Sequence, residues 1–243
     1  MSEIVCHSCE CHLLRTIIAL DNTKSVQNKQ CMDDPKFKKS DVDVRIKETL
    51  YEGFFRMDRY FLRHEQFAGG RGPEINREMF ERGHAVAVLP YDPVTDEVIL
   101  IEQFRPGAYV AMNSPWFDDD ASPWMIEAIA GMIEPGEDPE DVAVREMREE
   151  TGTETCDLIP MCHYLVSPGG CSESVFVFVG RADSNSVSGI HGVDHEGEDI
   201  RPFKVLLNDA YDGIADGKII NGMTIIALQW LMLNKAKVLD AWR

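Results

Sequence analysis

Glu146, Glu149 and Glu150 stand at i, i+3 and i+4 in a segment that reads as a helix, so they share one face of it. The start of that helix is marked by Asp138 as N-cap, Pro139 at the first helical position, and Glu140 and Asp141 in the first turn. Val142, Ala143 and Met147 supply an apolar stripe, and Gly152 sits where the helix would stop. Three carboxylates on one face repel each other. They also lie in the last turns, where the helix dipole is negative. Both effects raise the cost of ionisation. A hard divalent cation reverses both, because carboxylate oxygens are what Mg²⁺ prefers. Taken alone, such a face is more often a solvated surface with Arg145 and Arg148 interleaved as ion partners. The residues around the helix must decide between the two.

Around it, short segments rich in β-formers begin near residue 42. Residues 44–51, 54–63 and 74–82 read as strands, with the turn Gly69-Gly70-Arg71-Gly72-Pro73 before the third. Residues 85–90 form a continuous apolar run, suited to a buried central strand. Asp92-Pro93 turns the chain, and residues 97–102 answer as the hairpin partner. Further strands are expected at 125–130, 162–166 and 175–179. A last helix is expected over 221–235, with Ile225, Ile226, Leu228, Trp230, Leu231 and Leu233 packing inward. The acidic stretch 109–122, with Asp118, Asp119 and Asp120, reads as a solvated loop or a lid. Strands and helices mix without regular βαβ alternation, which favours a mixed sheet sandwiched by helices.

Charge narrows the function. The 243-residue chain has a formal net charge of −18. It is therefore a poor nucleic-acid binder, because nothing in bulk would neutralise phosphates. A phosphate ester could be held only through a few placed arginines or divalent cations. No run approaches the roughly 20 apolar residues of a membrane span. The N-terminus lacks a basic region ahead of its apolar patch, so a signal peptide is not expected and a cytoplasmic location is. Seven cysteines, an odd and uneven set, argue against a disulfide framework. Cys6, Cys9 and Cys11, with His7 and His12, have metal-like spacing, but a second ligand pair is missing even if Cys31 contributes. A mobile tail is expected there.

Seven residues decide the helix. Gly131, Glu137, Arg145, Glu146, Glu149, Glu150 and Gly152 match the Nudix box G-x5-E-x7-R-E-U-x-E-E-x-G-U, where U is a bulky aliphatic. Met147 fills the first U, and Thr153 departs from the second. From about Val44 onward the chain resembles the bacterial ADP-ribose pyrophosphatase branch of the Nudix family. Residues 48–55, 80–85, 101–105, 122–124, 167–170, 188–192 and 196–201 carry the resemblance. Segment 109–122 is longer than is usual there, and Cys171 stands where a small hydroxyl residue is usual.

The resemblance implies an α/β fold: a Nudix α/β/α sandwich with a mixed sheet, preceded by a small N-terminal β subdomain. It divides the chain into an extension (1–41), a β subdomain contributing to a dimer (42–82) and a hydrolase domain (83–243). It implies Mg²⁺, with Mn²⁺ able to substitute, on Glu146 and Glu150, aided by Glu149, the Ala130 carbonyl and Glu198. Glu196 would activate water, and Glu137 and Arg145 would be a structural pair. Arg105 would contact the phosphates, where a guanidinium is a bidentate clamp. Met132, Ser167, Pro168, Gly169 and Glu173 would contact substrate. Phe54, Phe55, Arg77, Glu78 and Arg82 would reach the nucleotide from the partner subunit of a homodimer. The implied reaction is Mg²⁺-dependent hydrolysis of ADP-ribose to AMP and ribose 5-phosphate. The alternatives are another nucleoside-diphosphate sugar as substrate, or a non-catalytic domain that binds ADP-ribose as a signal.

Overall fold

The computed structural model describes residues 34–155, 157–193 and 197–243. The Cys6–Cys11 cluster and Glu196 lie outside the described residues. Residues Asp41–Arg243 form one compact unit.

Two sheets organise that unit. The first is a three-stranded antiparallel sheet in the order β1 (Val42–Glu52), β2 (Arg56–His64) and β3 (Ile75–Glu81). Every residue of β1 is exposed. Asp58 of β2 is fully buried, and its carboxylate accepts from Thr49 Oγ1 and Arg56 Nε and pairs with Lys47 Nζ, each at 2.9 Å. Phe54 and Phe55, expected on a strand, instead occupy the turn between β1 and β2. Gly53 precedes them there, its N–H donating to the Phe55 carbonyl.

The second sheet is mixed and seven-stranded. Its main path runs β10 (Arg201–Leu206), β5 (Glu97–Phe104), β4 (His84–Asp92), β9 (Ser174–Arg181) and β8 (Leu158–Leu165). The apolar run in β4 makes it central. Its Ala85, Ala87, Leu89 and Tyr91 face one core, while Val86 and Val88 face the other. Such period-2 division of a continuous apolar run is what burial on both faces requires. The first core is closed by α3 (Leu207–Ala215) and α4 (Gly222–Ala241), the second by α2 (Pro139–Thr151). The result is helices on both faces of a mixed sheet.

Several local expectations are corrected. The β4–β5 hairpin is joined through only Tyr91↔Val98 and Asp92↔Glu97. Beyond that, β4 pairs antiparallel with β7 (Ile129–Ile133) and parallel with β9. The single strand expected at 125–130 is two: β6 (Trp124–Glu127) pairs with β5, then the chain crosses at Ala128 so that β7 pairs with β4. The Ala128 N–H, freed at the break, donates to Thr224 Oγ1 at 2.8 Å. Segment 109–122 begins inside a short helix, α1 (Pro106–Ala111). Leu233, expected inward on α4, is 84 % exposed. The buried residues of that helix are Thr224, Ala227, Leu228, Leu231 and Val238. Strand β10 and helix α3 were not anticipated from local pattern.

Helix α2 forms as its residues dictate. The Asp138 carboxylate accepts from the Glu140 N–H at 3.0 Å, and Gly152 takes a left-handed φ of 67° to end it. Thr153, the departure from the aliphatic position, is buried, and its hydroxyl is satisfied by Ser186 at 3.1 Å.

Candidate active site

Helix α2 carries Glu146, Glu149 and Glu150 toward β7. Glu150 is buried, with one carboxylate oxygen accepting from the Ala130 N–H at 3.2 Å. Burial pushes its carboxyl well above the usual carboxylate range. The charges of Glu146 and Glu198 push it further, while the Ala130 N–H and the charge of Arg105 oppose. Glu146 is also raised, by burial first and then by Glu149 and Glu198, against the pull of Arg145. Burial, more than mutual repulsion along the helix, is thus the leading cost at both groups. Arg105 and Glu198, distant in sequence, both act on this helix face.

Arg145 stands among the carboxylates. It lies 2.7 Å from Glu146, 3.2 Å from Glu149 and 3.5 Å from Glu137. Glu137 also accepts from the Glu134 N–H at 2.8 Å, which ties the preceding turn to the helix. Glu198 accepts from the Val193 N–H at 3.0 Å. Ala130 and Met132 lie on β7, and Met132 is partly exposed.

A second group gathers at the end of β3. Phe54, Phe55 and Phe80 stack edge to face, with centroids 4.7 and 5.1 Å apart in turn. The Arg82 guanidinium lies 5.4 Å from the Phe55 ring centre and 3.4 Å from the buried Glu173 carboxylate. Burial raises the Glu173 carboxyl, against Arg82 and His84. The loop holding Ser167, Pro168 and Gly169 docks here, since the Phe80 N–H donates to the Gly170 carbonyl at 2.8 Å. Arg77 and Glu78 join neither group by the contacts they make: Arg77 donates to the Asn76 carbonyl and Glu78 pairs with Arg59.

Sequence reasoning missed the anchor of Arg105. Its Nε donates to Glu127 at 2.8 Å, and Gln103 and Asn221 also donate to this buried carboxylate, at 3.3 and 2.7 Å. A lone glutamate in the apolar stretch 125–130 was the available signal, because a buried carboxylate demands partners.

The NUDIX domain profile matches residues 81–220, more than half of the chain. The chain belongs to the Nudix family. Among curated Nudix relatives, the ADP-ribose pyrophosphatase of Escherichia coli (strain K12) is 47 % identical over 206 residues, covering 85 % of this chain and 95 % of that protein. The ADP-ribose pyrophosphatase of Haemophilus influenzae is 43 % identical, covering 88 % and 97 %. The GDP-mannose pyrophosphatase of Yersinia pestis is 31 % identical, covering 77 % and 89 %. A solved structure of an ADP compounds hydrolase superposes with a TM-score of 0.59 at 21 % identity, covering 81 % of this chain and 95 % of that one, and supports the fold alone.

Nudix hydrolases generally use divalent metal ions. Among the described residues no three His, Cys, Asp or Glu side chains stand together as a ready cage. Arg145 holds Glu146 and Glu149 in that arrangement. The donor set nevertheless suits a hard cation. It offers oxygens alone, and Glu150 is a buried carboxylate for which no ion pair is seen among the described residues.

Proposed function

We propose that this Nudix protein hydrolyses the pyrophosphate of ADP-ribose, giving AMP and ribose 5-phosphate. The observation that carries the reading is the 47 % identity to a protein named ADP-ribose pyrophosphatase, across nearly its whole length. All the box glutamates are retained, which disfavours a binding-only domain. GDP-mannose, the substrate in the name of the 31 % relative, is the second reading and has the weaker support.

In this reading Glu146, Glu149, Glu150, Glu198 and the Ala130 carbonyl would hold Mg²⁺. Bound there, it would neutralise phosphate charge and lower the pKa of the attacking water. Arg105 would grip a phosphate through its terminal nitrogens while Glu127 fixes its Nε. Water attacks one phosphorus, the bridging P–O bond breaks, and Glu196 takes the proton of the water. Phe54, Phe55 and Arg82, which gather with Ser167–Gly169 and Glu173, offer a flat face and a cation for the base. Arg77 and Glu78 would serve the site of a second copy, in a homodimer. Among the described residues no helix is long and apolar enough to cross a membrane. A cytoplasmic place of action fits this reading.

A panel of ADP-ribose, ADP-glucose and GDP-mannose, with product analysis and with or without EDTA, tests it. ADP-ribose should be split fastest, to AMP and ribose 5-phosphate, and only without EDTA. A preference for GDP-mannose, or turnover in EDTA, would reject it.

A further inference from the structure

Glu127 and Ala128 stand at the crossing from β6 to β7, and both are held from the first turn of α4. The Glu127 side chain is buried, and its Oε1 accepts from Asn221 Nδ2 at 2.7 Å. The Ala128 N–H donates to Thr224 Oγ1 at 2.8 Å. Asn221 caps α4, its Oδ1 accepting from the Thr224 N–H at 3.0 Å and from the Thr224 hydroxyl at 2.9 Å. These four residues close a ring, since Glu127 and Ala128 are neighbours in the chain and Asn221 and Thr224 share one helical turn.

Each bond of the ring has a fixed direction. A backbone N–H can only donate, so that of Thr224 must meet the amide oxygen of Asn221 and not its nitrogen. The nitrogen is thereby left facing Glu127, whose ionised carboxylate can only accept. On its other side Glu127 accepts, through Oε2, from Arg105 Nε at 2.8 Å and Gln103 Nε2 at 3.3 Å. Thr224 and Gln103 are buried, whereas the Arg105 side chain is 40 % exposed. The helix cap is therefore the fixed end of this series of bonds, and the guanidinium is its free end. Hydrogen bonds in series strengthen one another where water is excluded. The charge of Arg105 is felt at Glu150, so the free end lies toward the carboxylate face of α2.

We propose that Asn221 is a positioning residue for Arg105. It locks the Glu127 carboxylate in the orientation that aims the guanidinium at the phosphates, and Thr224 fixes the amide that does so. This rests on the pyrophosphatase reading above and adds to it: turnover depends on the cap of α4, which touches no substrate.

A reciprocal exchange tests the bond itself. Asn221→Asp keeps the cap, because a carboxylate also accepts both Thr224 bonds, but it turns an acceptor toward Glu127. Glu127→Gln places an amide between donors on both sides, so one of them loses its partner. In the double variant the new glutamine donates to the new aspartate and still accepts from Arg105. With Mg²⁺ present, each single variant should lower kcat/KM for ADP-ribose by about tenfold to a hundredfold. The double variant should return to within about threefold of wild type, whereas mere structural damage would accumulate. Wild-type activity of Asn221→Asp, or a double variant no better than the poorer single one, would overturn the proposal. The Arg105 Nε–H resonance, assigned by its loss in Arg105→Lys, reads the same bonds without turnover. Its exchange with solvent should be about tenfold faster in Asn221→Asp than in wild type and the double variant. Should the wild type split no nucleotide sugar, the pyrophosphatase reading itself fails and this resonance alone decides. Equal exchange in the three proteins would then reject the positioning role, and faster exchange confined to Asn221→Asp would support it.

Discussion

The Glu146 carboxylate occupies the space in which a side chain on Gly131 would begin, so that a Cβ built there would overlap it. The glycine of β7 and the glutamate of α2 are thus fitted to each other across the strand–helix interface. Gly131→Ala should swing Glu146 aside at little cost to the fold, because the displaced atoms are the far end of a flexible side chain. Misplacement by about 1 Å is enough to cost roughly 10²-fold in rate. We expect kcat for ADP-ribose to fall by about that factor with a nearly unchanged Tm. A normal kcat would show that the position of Glu146 is immaterial to turnover.

Glu150 supports a prediction that separates metal binding from folding. Chelation should abolish turnover, and Glu150→Gln should do nearly the same at ordinary Mg²⁺. In EDTA, however, the variant should melt at or above the wild type, since it no longer buries a charge beside Glu146 and Glu198. Adding Mg²⁺ should raise the Tm of the wild type and leave that of the variant where it was. Full activity of Glu150→Gln would sink the metal assignment.

Asp58 makes the small sheet sensitive to acid. Its bond from Lys47, helped by Thr49 and Arg56, holds its carboxyl down at about 2 despite desolvation. A depressed folded-state value means that the ion cluster contributes fully above the ordinary carboxylate range. That contribution is lost as the pH falls toward 2. Asp58→Asn should therefore lower Tm at pH 7, and the gap from wild type should shrink between pH 4 and about 2. A gap constant over that window would mean that packing, not charge, is what Asp58 supplies.

Strand β1 exposes Val44, Ile46 and Tyr51 by 51 %, 52 % and 65 % in the single chain. A strand exposed along its full length calls for cover. If a second copy provides it, Ile46→Asp should halve the mass seen by light scattering, leaving the 27.4 kDa chain. An unchanged mass would place the dimer contact elsewhere, and a monomeric wild type would remove the shared-site proposal altogether.

Helix α2 was legible because everything that makes it lies within a few residues. Asp138 caps a neighbouring N–H, the acids recur at one-turn spacing, and Gly152 alone tolerates the left-handed stop. The central place of β4 was legible for the same kind of reason, since an unbroken apolar run must be covered on both sides. The break between β6 and β7 was not. Residues 125–130 read as one strand, and what divides them is a choice of partners: β5 claims the first part and β4 the second.

Long-range contacts also decided what local pattern could not. Phe54 and Phe55 read as strand residues, yet they fall in a turn whose rings meet Phe80 and Arg82. Leu233 follows the helical apolar pattern, but among the described residues it is left 84 % exposed. Arg105 could be named from its surroundings in sequence, whereas its orientation depends on Glu127, and Glu127 depends on Asn221, 94 residues away. Residue spacing by itself determined where α2 starts and stops and that Glu146, Glu149 and Glu150 share one face of it, because hydrogen bonding and charge along a helix act over one or two turns. Which buried carboxylate holds which arginine was decided only by the tertiary structure, because burial and partner are properties of the packed sheet and not of the chain on either side.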